Sequence, residues 1–134
     1  MATELEKIRG LYKKLINEEK HIFPKTGGLK APIERGVYVI FDPKGTVLHV
    51  GKTSRAKQGL RQRLNNHLRG QSSFTKKYLK GRGAKLRAGY AFKSVIVDDA
   101  RLRTLLEAYA LAYLCPKHLG TGATDYPSPF KSEI

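Results

Sequence analysis

Leu5, Ile8, Leu11, Tyr12, Leu15 and Ile16 recur at helical spacing between charged positions. That is the pattern of an amphipathic helix with one buried stripe. It predicts a charged helix over 3–20, capped by Thr3, with Glu4 and Glu6 in the first turn where the helix dipole favours acids. The pattern dissolves over 24–32, where Gly27-Gly28 and flanking prolines mark a loop. It resumes in another form as Gly36-Val37-Tyr38-Val39-Ile40-Phe41, a run of β-branched and aromatic residues that predicts a strand. Asp42-Pro43-Lys44-Gly45 is turn chemistry, and 46–50 reads as the returning strand. After a loop over 51–58, Leu60, Leu64 and Leu68 share one face of a helix near 59–69. A short second helix is expected over 72–79, a break at Gly81-Arg82-Gly83, and a third strand over 90–97. Asp98-Asp99 then opens a long helix to about Leu114, which Pro116 ends. The residues beyond 120 carry Gly, Pro and Ser and read as irregular. These elements predict an α+β fold, a small three-stranded antiparallel sheet flanked by helices. The N-terminal helix (1–34) is an extension of one central domain (35–120), and 121–134 is a tail.

Composition narrows this picture. A chain of 134 residues, 40% of them hydrophobic, suits one compact domain. No apolar run reaches the roughly 18–20 residues that span a bilayer. The first residues lack the basic start and apolar stretch of a signal peptide. Cys115 is the sole cysteine, which excludes a disulfide framework and a cysteine-rich zinc site. A cytoplasmic protein is the expectation. Charge changes the picture most. The formal net charge is +15, and no Asp or Glu occurs between positions 43 and 97, a stretch rich in Lys and Arg. With no local acids to neutralise the field, phosphate binding by counterion release is the natural reading. A basic membrane helix fits less well, because the charges spread over several elements.

Candidate chemistry sits in three places. If the turn pairs Phe41 with Thr46, the same register sets Tyr38 directly opposite His49, on one face of the hairpin. A phenol beside an imidazole can handle protons, and an ordinary strand tyrosine beside a surface histidine fits the same pattern. On the following helix, Arg63 and His67 are one turn apart and share a face offset from the leucines. A guanidinium there suits phosphate, or is simply solvated. Glu107 sits mid-helix among Leu102, Leu105, Leu106, Tyr109, Ala110 and Leu111, far in sequence from other acids. A carboxylate on so apolar a helix is costly without a partner. It is either a metal ligand or half of an ion pair, with Arg103 one turn earlier as the obvious mate. One carboxylate completed by waters and substrate phosphate is a magnesium-like arrangement.

In this order these residues resemble the GIY-YIG nuclease superfamily. Gly36-Val37-Tyr38 matches the first half-motif and His49-Val50-Gly51-Lys52 the second. Gly59-Leu60-Arg61-Gln62-Arg63-Leu64-Asn65-Asn66-His67 is similar to the family's arginine helix, and Glu107 falls where the family carries its metal-binding glutamate. Two positions depart. His49 stands where the second half-motif carries Tyr. Gly120 follows Pro116-Lys117-His118-Leu119 where members often have Asn, leaving His118 as the candidate to replace it.

The resemblance implies a metal-dependent DNA endonuclease using Mg²⁺ or Mn²⁺. Tyr38 would act as general base or relay a proton, with Lys52, Arg63 or the metal stabilising its phenolate. Arg63 would stabilise phosphate charge, Glu107 would hold the metal, and His49 and His67 would position phosphate or tune Tyr38. The expected DNA contacts are Lys52, Arg55, Lys57, Arg61, Arg69, Lys76, Lys77, Lys80, Arg82, Lys85 and Arg87, with DNA expected over RNA. The alternative is a non-catalytic nucleic-acid-binding module on the same scaffold, motivated by the departures at His49 and Gly120.

Overall fold

The computed structural model describes residues 1–53, 57–119 and 126–130. Helix α1 (Glu4–Asn17) begins where the Thr3 hydroxyl accepts the Glu6 amide, as the sequence predicts. Strands β2 (Gly36–Phe41) and β3 (Val47–Lys52) form the hairpin. Helix α2 (Gly59–Leu68) follows, then a π-helical turn (Phe74–Tyr78) and a 3₁₀ helix (Gly83–Arg87). Strand β4 (Ala91–Ile96) leads to α3 (Ala100–Leu114), whose first turn is capped by the Asp99 carboxylate bonding the Leu102 amide at 2.8 Å.

The sheet is antiparallel with the order β1-β4-β2-β3, so it has four strands where the sequence predicts three. The extra strand, β1 (His21–Ile22), pairs His21 with Phe92 and Ile22 with Ala91. Both its side chains are exposed, and a two-residue strand carries no alternation to read. Strand β2 is buried along its length, as a near-continuous apolar run requires of a strand covered on both faces. Tyr38 and Ile40 pack toward α2, with Leu60, Leu64, Phe74, Leu86 and Phe92. Val37, Val39 and Phe41 pack toward α1 and α3, with Ile8, Leu15, Leu106 and Ala110. Helix α1 thus contributes directly to the second core layer.

The hairpin register corrects the predicted pairing. The Gly45 amide bonds the Asp42 carbonyl at 3.0 Å, with Gly45 at φ +90°, and the Asp42 amide bonds the Thr46 carbonyl at 2.9 Å. The Asp42 carboxylate accepts both the Lys44 and Thr46 amides. Phe41 therefore faces Val47, and a bulge next to it sets Ile40 opposite His49 and Tyr38 opposite Gly51. The register differs from expectation by one residue at Phe41 and by two beyond the bulge. Because side chains alternate with period two, His49 keeps the face of Tyr38 although the two are not directly paired.

Beyond α3 the chain turns at Cys115 (φ +48°) and runs parallel to β3. The His118 amide bonds the Leu48 carbonyl at 2.8 Å and the Lys117 amide bonds the Val47 carbonyl at 3.3 Å. This segment covers part of an edge that would otherwise be open to strand pairing. Among the described residues, no helix is long and apolar enough to cross a membrane.

Candidate functional site

The ends of β2 and β3, the start of α2 and the middle of α3 converge near one corner of the sheet. Gly51 lies under the Tyr38 phenol, so close that a Cβ at position 51 would stand 2.5 Å from the ring carbon bearing the hydroxyl. Gly36 is constrained in the same way: its Cβ would overlap the Val95 carbonyl on the neighbouring strand. At the head of α2, Gly59 has φ +48° and its Cβ would strike the Ile33 and Glu34 carbonyls. The same loop holds the helix in place: the Leu60 amide bonds the Glu34 carbonyl at 3.0 Å and the Arg61 amide bonds the Pro32 carbonyl at 2.9 Å. The glycines of the two half-motifs and of the arginine helix are therefore sites of close backbone approach, where a side chain has no room.

Tyr38 is fully buried. Its hydroxyl lies 2.6 Å from His67 Nε2, and His67 Nδ1 lies 2.6 Å from Ser72 Oγ. Burial pushes the Tyr38 phenol up to about 12, while the Arg63 guanidinium pulls in the other direction as a charge and as a hydrogen-bond donor. His67, also fully buried, is held well below the usual histidine value, first by burial and then by the Arg63 charge and by His118. The imidazole facing Tyr38 is therefore neutral at pH 7, with one ring nitrogen bare. The sequence places His67 with Arg63 on a face offset from the leucines. The structure turns it wholly inward.

His49 is likewise buried rather than on the surface. Its ring stacks on Phe74 with centroids 4.8 Å apart, and lies 5.8 Å from Tyr38 and 5.2 Å from His67. Its Nδ1 meets His118 Nδ1 at 3.0 Å, a bond that requires a proton on one nitrogen and a lone pair on the other. Burial, followed by His67, His118 and Arg63, keeps His49 well below the ordinary histidine value. His118, the candidate replacement for the missing asparagine, is thus brought against the residue that occupies the second tyrosine position.

Lys52 and Glu107 lie on the opposite face of β3, toward α3. Lys52 Nζ donates to Thr104 Oγ1 at 3.0 Å and stands 3.9 Å from Glu107 Oε1. Arg103 is not the mate of Glu107: its guanidinium donates to the Val97 and Asp98 carbonyls, both at 2.9 Å, at the start of α3. Glu107 is about three-quarters shielded, with 23% of its side chain exposed. Burial raises its carboxyl above the usual range, and Lys52, Arg63 and a backbone hydrogen bond at Lys52 pull it back. Arg63 acts on Tyr38, His49, His67 and Glu107 alike, so it is the charge common to both faces.

The predicted DNA-contact residues divide into groups. Lys57, Arg69, Lys76, Lys77 and Lys85 are exposed, and Lys80 and Arg82 partly so. Arg61 bonds the Ala31 carbonyl through Nε and Arg87 bonds the Pro24 carbonyl, so each ties a loop to the body. Arg55 lies outside the described residues. Sequence reasoning missed Ser72, which meets His67, and Thr75, which bonds Ser72 from the π-helical turn. The available signal was a Ser and a Thr three residues apart, a pair that folds back on its own backbone. Among the described residues, no group of three His, Cys, Asp or Glu is placed to hold a metal. That leaves Glu107 as an oxygen donor whose remaining partners would be water and phosphate, a set suited to a hard cation such as Mg²⁺.

No family model and no curated protein matches the chain. Among solved structures, it is similar to the GIY-YIG N-terminal endonuclease domain of UvrC from Thermotoga maritima bound to magnesium. The identity is 26%, the match covers 84% of this chain and 94% of that one, and the TM-score is 0.47. A point mutant of the same domain, bound to a divalent cation, is similar at 24% identity, with 84% and 93% covered and a TM-score of 0.46.

Proposed function

We propose that this protein is a metal-dependent endonuclease that hydrolyses phosphodiester bonds in DNA. The observation that carries this reading is the short Tyr38–His67 hydrogen bond beside Arg63, with Glu107 in the same field. A phenol near pKa 12 is a poor base alone. A neutral imidazole hydrogen-bonded to it supplies a proton acceptor, and Arg63 favours the phenolate. As water attacks phosphorus, Tyr38 passes its proton to His67 Nε2 and takes one from the water. Since the phenol is shielded in this conformation, substrate binding must open a path to it. Arg63 and Lys52 stabilise negative charge on the phosphate. A divalent cation on Glu107, when bound, neutralises charge at the scissile phosphate and the leaving oxygen. The acid-free basic stretch, with exposed Lys76, Lys77 and Lys85, supplies sequence-independent backbone attraction.

Plasmid and branched DNA incubated with Mg²⁺ test the reading. Wild type nicks both, while Glu107→Ala and Tyr38→Phe lower the rate by about 10²–10⁴-fold, and EDTA abolishes it. Equal cleavage by all three proteins removes the site. The complete burial of Tyr38 favours one second reading, a non-catalytic nucleic-acid-binding module. It predicts salt-sensitive binding with no nicking under any divalent metal.

A further inference from the structure

Hydrogen bonds around Ser72 and Thr75 bear on the proton position on His67. Thr75 Oγ1 donates its single proton to the Ser72 carbonyl at 3.0 Å. The two hydroxyl oxygens, Ser72 Oγ and Thr75 Oγ1, are 2.9 Å apart. That carbonyl also accepts the Lys76 amide at 2.9 Å, so the Thr75 proton has two acceptors; in the arrangement that places it on the carbonyl, the bond between the hydroxyls takes the Ser72 proton. Ser72 Oγ also accepts the Thr75 amide at 3.1 Å. Having given away its one proton, Ser72 can meet His67 Nδ1, 2.6 Å away, only as an acceptor. In this arrangement Nδ1 carries the ring hydrogen. In a neutral imidazole Nε2 is then bare, and Tyr38 must be the donor in the 2.6 Å bond between them.

We infer that Ser72 and Thr75 are positioning residues that lock His67 in the Nδ1–H tautomer, leaving Nε2 open to take the Tyr38 proton. Their catalytic value rests on the nuclease reading above; the tautomer itself does not. The turn that holds them is closed by backbone bonds, Lys76 to Ser72 at 2.9 Å and Gly81 to Thr75 at 2.8 Å. Both side chains are buried, so water does not compete for their protons. In the step itself, the Tyr38 O–H bond breaks as a bond forms to His67 Nε2, while Tyr38 oxygen takes a proton from the attacking water. The water oxygen bonds to phosphorus, and the bond from phosphorus to the sugar oxygen breaks with its electron pair on that oxygen, which takes a proton from solvent. His67 then loses its second ring proton to solvent. With the opposite tautomer, Nε2 already bears hydrogen and the first transfer has no acceptor.

The test is imidazole ¹⁵N NMR on the full chain at neutral pH, without DNA or metal, read beside cleavage kinetics. Wild type is expected to show His67 Nδ1 protonated and Nε2 bare. Thr75→Val removes the hydroxyl with little change in shape and frees the Ser72 proton to point at Nδ1. It should shift His67 toward the other tautomer and lower kcat by about 10–100-fold, with KM held. Thr75→Ser should restore both readouts, and Ser72→Ala should blur the tautomer signal. A wild type protonated on Nε2, or a Thr75→Val spectrum unchanged at His67, overturns the assignment. A wild type with the expected tautomer that cuts no DNA supports the assignment and overturns the nuclease reading.

Discussion

Gly51 has no side chain because the Tyr38 phenol occupies that space. The phenol cannot move aside cheaply: it is fully buried and bonded to His67 at 2.6 Å. Gly51→Ala is therefore expected to destabilise the fold by roughly 1–3 kcal/mol, the usual cost of overpacking, and to lengthen the Tyr38–His67 bond. Urea denaturation measures this, and the double variant Gly51→Ala/Tyr38→Phe should lose less than the sum of its parts, since both changes act on one contact. Strict additivity would show that the glycine is required for another reason. At this scale the sequence marks residues that the structure brings together, and misjudges their surroundings. Tyr38, Arg63, His67 and Glu107 are legible from motif and spacing, whereas the inward turn of His67 and the Ser72–Thr75 contacts are not. Long-range packing decides those, and spacing on one helix cannot report which neighbour fills the facing space.

Elements set by strong periodicity emerge as predicted: α1, α2, α3 and the β2–β3 hairpin all carry clear periods or caps. The segment between α2 and β4 does not. A short helix is expected over 72–79, but a five-residue π-helical turn forms at Phe74–Tyr78 and a 3₁₀ helix at Gly83–Arg87. Wide π-helical spacing matches neither helical nor strand periodicity. The turn buries Phe74 and Tyr78 while leaving Lys76 and Lys77 in solvent. That division makes the element a carrier of charge anchored beside the site. Replacing Lys76 and Lys77 by Ala should therefore weaken DNA binding equally across sequences and flatten the plot of log affinity against log salt by about 2, without altering the melting midpoint. The plot measured by fluorescence anisotropy checks this; an unchanged slope would place the phosphate path elsewhere.

Across the whole molecule, the sheet separates two chemistries that meet only near its β2–β3 end. One face holds neutral, buried rings around Tyr38; the other holds the Lys52–Glu107 pair. The fold class is legible from the element pattern, whereas the fourth strand is not, because β1 borrows its order from β4 rather than from its own residues. Burying His49 and His67 also has a thermodynamic consequence for the whole fold. His49 and His67 both have folded-state pKa values depressed well below 6.5. Above 6.5 they are neutral in both folded and unfolded chains, so they exert no pull. As pH falls below 6.5 the unfolded chain takes up protons that the folded one refuses, and stability declines toward the depressed folded values. Glu107 works in the opposite sense nearer the carboxylate range, because its raised pKa lets the folded state bind a proton first. The expected result is a urea midpoint lower at about pH 5.5 than at about pH 7.5, as the unfolded chain takes up protons that folded His49 and His67 refuse. His49→Gln should shrink that loss, since the amide cannot take up a proton in either state. A midpoint insensitive to pH across this window would mean that the buried rings protonate without unfolding, and the neutral His67 on which the proposed Tyr38 proton transfer depends would fall with it.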